Sequence, residues 1–200
     1  MNKEKVLADT QSTQIEKLEK LRTAWLPAVE FLFGEAVAEA KFDGFDVLED
    51  IAKPTVLFAH ADEPYRYCIQ MPTRSFSNDV MLFVDVIQEM VRGLYPVGAN
   101  DAKTSALCEG VAVFGAITAI RQVFGEETVD SYLNALKEQA FPYYDAFSYT
   151  AVLLAEDPQA IKKLRGVQPF LYKVVRDDFE TAGVEIDRKI KDILLLAFRA

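Results

Sequence analysis

Between Ala106 and Ile120 only one side chain, that of Glu109, carries a charge. A stretch this apolar must be enclosed by other elements. A carboxylate within it must reach water, hold a proton, or meet a cation or donor. The stretch reads as one helix over residues 105–124, stopped by Gly125. Gly110 and Gly115 each weaken that helix by about 1 kcal/mol relative to Ala, and they let another element approach closely. The uncharged part, residues 110–120, falls well short of the roughly 20 residues of a membrane span.

Composition narrows the class. Thirty-one acidic residues against 22 basic ones give a net charge of −9 in 200 residues, half of them hydrophobic. A chain of this size buries roughly 70% of its unfolded surface, and without repeats or linkers it is expected to form a single domain over residues 1–200. The acidic balance argues against nucleic acid and against anionic membrane surfaces as partners. One histidine, His60, and two cysteines, Cys68 and Cys108, exclude a Cys₄ or Cys₂His₂ zinc site and any site needing two imidazoles. No metal and no cofactor is expected. Both cysteines have apolar neighbours and read as buried free thiols. The first 19 residues lack the apolar core of a signal peptide, so a cytoplasmic location is expected. The densest basic cluster, Lys162-Lys163-Leu164-Arg165, reads as a solvated helix face.

Along the chain, residues 1–11 read as a loose tail. Thr13 and Glu16 have capping-box spacing, and Ile15, Leu18, Leu21, Trp25, Val29 and Leu32 follow at helical intervals, with Pro27 as a candidate kink. Residues 55–59 and 65–71, rich in β-branched and aromatic side chains and bounded by Pro54, Pro64 and Pro72, predict paired strands. Helices are predicted over residues 77–93, 105–124, 128–139, 144–155, 158–165 and 184–198. The period over residues 169–175 fits a strand or an apolar helix equally. The fold class is α+β, mostly helical, with a small sheet packed on helices.

Two helices carry the chemistry. Asp85, Gln88, Glu89 and Arg92 are spaced by three, one and three residues, and so share one stripe of a helix. Alone, such a stripe reads as a solvated face with Glu89 and Arg92 as a surface pair. Glu109 in the first turn of its helix is likewise favoured by the helix dipole and solvent.

Read together, Ile69-Gln-Met-Pro, Val86-Ile-Gln-Glu-Met-Val-Arg92 and Ala106-Leu-Cys-Glu-Gly-Val-Ala-Val-Phe114 resemble a gluzincin metallopeptidase. In that family a strand precedes a helix bearing H-E-x-x-H, whose histidines share a face and reach one zinc ion, and a second helix supplies a further glutamate. The resemblance implies a zincin-like fold. It matches Glu89 to the general base and Glu109 to the third ligand. Gln88 and Arg92 stand at the two histidine positions, so no zinc site is expected. The resemblance instead places the Arg92 guanidinium where the metal's charge would be, bridging Glu109 and Glu89 with hydrogen bonds from Gln88. It further suggests Tyr143, Tyr144 and Tyr149 as candidate contacts in the former cleft, although all three also read as packing aromatics.

The expectation is a catalytically inactive zincin-like domain that binds a protein or peptide. Two alternatives are a metal-independent hydrolase using Glu89 and Glu109 as general acid and base, and a helical structural or interaction protein in which the motif match is chance. His60 beside Asp62 and Glu63 is a weaker catalytic candidate.

Overall fold

A 31-residue helix, α1 (Lys3–Phe33), opens the chain. A computed structural model describes residues 3–58, 62–98 and 103–199, with residues 3–9 described by their backbone alone. The segment read as a loose tail is thus helical from Lys3 onward. Lys, Glu, Leu, Ala and Gln favour that state, and no Gly or Pro interrupts them. Thr13 and Glu16 lie inside the helix rather than at its start, and α1 continues through Pro27.

Three short strands follow: β1 (Lys41–Leu48), β2 (Thr55–Leu57) and β3 (Arg66–Pro72). β3 is central, with β1 parallel on one side and β2 antiparallel on the other. β2 and β3 fall within the two predicted strands, while Ala59 lies outside the described residues. β1 was not expected. Its register slips between Phe42 and Phe45, where Gly44 adopts a φ of +126° that few other residues tolerate. The bulge breaks the alternation that would mark a strand in the sequence.

The helices are α2 (Asp79–Gly93), α3 (Ala106–Phe124), α4 (Glu126–Gln139), α5 (Phe141–Glu156), α6 (Ala160–Val167), α7 (Arg176–Thr181) and α8 (Arg188–Leu194). The fold is α+β and mostly helical. Asn78 caps α2 by accepting from the Met81 N–H at 3.1 Å, and Ser105 caps α3 by accepting from the Cys108 N–H at 3.3 Å. Residues 169–175 form neither strand nor α-helix but a 3₁₀ turn at Leu171–Lys173. The long final helix predicted over residues 184–198 is also corrected. Only α8 is helical there, started by the Asp187 cap, and the chain then extends so that Ala197 bridges Ser105. The Ala106 N–H donates to the Leu196 carbonyl and the Phe198 N–H to that of Thr104, each at 2.9 Å.

α3 is the buried axis of the fold, packed against α2 on one side and α5 on another. It is long and apolar enough by length and composition to cross a bilayer, but 67% of that stretch is buried inside the protein, so packing accounts for its apolarity. The two glycines mark the closest approaches. A methyl group at Gly110 would overlap Thr150 Oγ1 and the Ala146 carbonyl of α5, and one at Gly115 would lie 2.9 Å from Val91 Cγ2 of α2.

Arg165, expected on a solvated face, is 9% exposed. Its Nη1 donates to the carbonyls of Phe33 at 2.7 Å and Gly34 at 2.9 Å, and its Nη2 to those of Glu35 at 2.5 Å and Leu94 at 3.2 Å. Helix C-termini leave carbonyls unpaired, and here one guanidinium satisfies the ends of α1 and α2 together.

Gly110→Ala is expected to destabilise the protein by about 2 kcal/mol, although helix propensity alone would favour Ala by about 1 kcal/mol. Urea unfolding measures the sign, and a gain in stability would refute the close α3–α5 contact. Arg165→Met is expected to cost about 3 kcal/mol by stranding buried carbonyls. Arg165→Lys should recover only part of that loss, since an ammonium lacks the fork geometry. Equal unfolding midpoints for the three proteins would contradict this role.

Candidate functional site

The chain leaves β3 through a 3₁₀ turn at Thr73–Ser77 and enters α2, so the stripe of Asp85, Gln88, Glu89 and Arg92 starts beside the sheet. α3 packs against α2 and brings Glu109, in its first turn, opposite that stripe. Arg92 joins the two helices. Its Nη2 donates to Glu109 Oε2 at 2.7 Å and its Nε to the same oxygen at 3.2 Å. Its Nη1 donates to Glu89 Oε1 at 2.5 Å, and its Nη2 also reaches Gln88 Oε1 at 3.3 Å.

This cluster is not a solvated face. Glu89 and Glu109 are 5% and 6% exposed. The dipole argument for Glu109 still applies in the first turn of α3, but its charge is met by Arg92 rather than by water. Burial raises the pKa of Glu89, opposed by Arg92 and reinforced by the Glu109 carboxylate. For Arg92, burial works against the charge, but Glu89 and Glu109 outweigh it and raise the pKa. Burial also raises the pKa of Asp85, against a 2.5 Å hydrogen bond from Ser75 Oγ and the nearby Arg74.

The cluster forms the floor of an open cleft of about 970 Å³ between α2, α4, α5 and the edge strand β2. That volume lies at the upper end of the range for small-molecule pockets. Val80, Val84 and Leu136 supply apolar wall, and Val56 of β2 also lines the cleft. Tyr132 of α4, which the sequence reading missed, accepts a hydrogen bond from Gln88 Nε2 at 2.9 Å. Thr128, Tyr132, Ala135 and Leu136 recur at helical spacing, so a shared face was detectable in the sequence, but not what that face meets.

Of the three candidate tyrosines, only Tyr143 lines the cleft, with its ring 4.8 Å from that of Phe198. Tyr144 packs on Phe141 at 6.1 Å, and Tyr149 packs against the core. Neither borders the cleft. His60 lies outside the described residues.

Other chemistry is limited by the residues present. Cys108 is buried as expected, whereas Cys68 is only half-buried. Burial pushes the Cys108 thiol up to about 11, and burial together with Asp46 pushes that of Cys68 up to about 12, so neither is a ready nucleophile. Among the described residues no group of three or more His, Cys, Asp or Glu side chains is placed to hold a metal ion. At the cleft floor Gln88 and Arg92 do not fit one, since a guanidinium has no lone pair to offer and repels a cation. Comparison with protein-family models, with curated proteins and with solved structures returns no match to this chain.

Arg92→Ala is expected to destabilise by about 3 kcal/mol, the low end for a broken buried pair because the cleft admits water. An unchanged urea midpoint would contradict it. The pH dependence follows from Glu89. A folded-state pKa above the ordinary 4.5 means the folded protein holds the proton more tightly. Stability therefore falls as pH rises from the ordinary value through the raised one, and is level beyond it. Glu89→Gln should flatten part of that fall in urea unfolding followed upward in pH from the ordinary carboxylate range, with the Asp85 contribution remaining.

Proposed function

We propose that this chain is a catalytically inactive zincin-like domain that binds an extended protein or peptide segment in the cleft. The observation that carries the reading is the position of Arg92. Its guanidinium joins Glu89 of α2 to Glu109 of α3, the two carboxylates that the gluzincin resemblance matches to the general base and the third zinc ligand. A cation built into the chain takes the role a metal has in such a site, and no side chain at the Gln88 or Arg92 positions offers an imidazole lone pair. The order of elements is compatible with this reading: β3 precedes α2, and α2 precedes the helix bearing Glu109. Fold can persist where chemistry is lost, and a cleft can go on binding.

The occupant follows from the rims. β2 is a three-residue strand at the edge of the sheet, and it borders the cleft through Val56. Edge strands offer backbone donors and acceptors to an extended chain, while neighbouring pockets take its side chains. One observation favours the hydrolase alternative: burial holds the Glu89 carboxyl above its ordinary pKa, as suits a general acid. Against it, Arg92 engages both glutamates.

Selection from a displayed library of random peptides tests the proposal. Peptides binding in the micromolar range are expected, and their binding should be lost in Ala135→Trp, which fills the cleft from an exposed wall position. Peptides indifferent to that substitution would overturn the reading, as would tight stoichiometric zinc in the purified protein. Peptidase or esterase turnover abolished by Glu89→Gln would decide for the hydrolase.

A further inference from the structure

We infer that the segment held in the cleft is anchored by a basic side chain, a lysine or arginine, whose cationic head sits on the Asp85, Glu89 and Glu109 carboxylates. The inference rests on the proposed binding role and names the ligand's chemistry.

In the cluster that Arg92 joins, acid outnumbers base. Three carboxylates, Asp85, Glu89 and Glu109, line the floor beside one guanidinium, Arg92. Arg92 occupies Oε1 of Glu89 and Oε2 of Glu109, and Ser75 occupies Oδ2 of Asp85. The other oxygen of each carboxylate accepts no hydrogen bond from any described side chain or backbone group, and all three residues border the cleft. Glu89 and Glu109 are more than nine-tenths buried as residues, yet neither free oxygen is sealed from solvent, so each can be reached by a donor entering from the cleft. Carboxylates in such a place gain from a donor that also carries charge.

An ammonium offers three donors and a guanidinium five. Either head arrives on an apolar stem, and Val80, Val84 and Leu136 provide the wall such a stem needs. An acidic anchor would instead face like charges and desolvate them further. An apolar anchor would leave the free oxygens unpaired. Lys53 and Arg74 also border the cleft; both are exposed, where water and salt screen them, and neither forms an ion pair with Glu89 or Glu109, although Arg74 lies near enough to Asp85 to favour its charge. The net charge of −9 steers a cationic segment in the same direction.

The selection described above tests this when each cleft-dependent peptide is resynthesised with its candidate anchor changed. Every such peptide should contain a lysine or arginine whose replacement by norleucine weakens binding to the intact chain by at least about tenfold, measured by calorimetry. Asp85→Asn, which can still accept from Ser75, should weaken the lysine peptide several-fold while leaving the norleucine peptide unchanged; urea unfolding confirms that this variant is folded. Cleft-dependent peptides with no basic anchor, or with affinities unmoved by norleucine, would overturn this inference and leave the binding role standing. A selection yielding no cleft-dependent peptide at all would overturn both.

Discussion

Between α2 and α3 one guanidinium holds two buried carboxylates. Every hydrogen-bonding nitrogen of Arg92 is engaged, two of them on the same oxygen of Glu109. Such a cluster tolerates little sliding of one helix along the other, because a shift would strand a buried charge. It therefore sets the register in which Gly115 lies against Val91, and with it the position of Glu109 relative to the sheet. Arg165 serves the same end from outside, closing the C-terminal carbonyls of α1 and α2 so that both helices end inside the protein. Two arginines thus hold the arrangement, one through side-chain charge and one through backbone dipoles.

That arrangement also accounts for the character of the cleft. One cation, Arg92, is shared between two buried glutamates, while Asp85 lies near the exposed Arg74. The walls are apolar, one rim is a strand edge, and the floor carries unspent acceptors. A catalytic carboxylate needs freedom to exchange a proton with a substrate. Glu89 and Glu109 are instead engaged by Arg92, and the proposed binding role rests on that engagement.

Legibility in the sequence followed the range of the interactions. α2 and α3 were readable because their apolar periodicity, their caps and the single charge in a long apolar run are properties of neighbouring residues. The same locality made the stripe of Gln88, Glu89 and Arg92 visible. β1 was not readable, since the bulge at Gly44 removes its alternation and a partner 25 residues away restores its pairing. The end of the final helix is not legible because Ala197 continues the helical spacing of Ile186, Ile190, Ile193 and Leu194, yet pairs with Ser105 just before α3. Arg165 looked like one more residue in a basic cluster. Nothing in its neighbours says that carbonyls from residues 33–35 converge on it.

By itself the sequence determined that α3 must be buried, that Glu109 within it needs a partner or water, and that two-imidazole metal chemistry is closed to this chain. Those conclusions depend only on residue type and spacing. Tertiary structure alone decided that Glu109 meets Arg92 inside the protein rather than at a solvated face, and that Tyr132 and not Tyr144 or Tyr149 joins the site. Each of these depends on which helix faces meet, and facing is set by the packing of elements far apart in the chain.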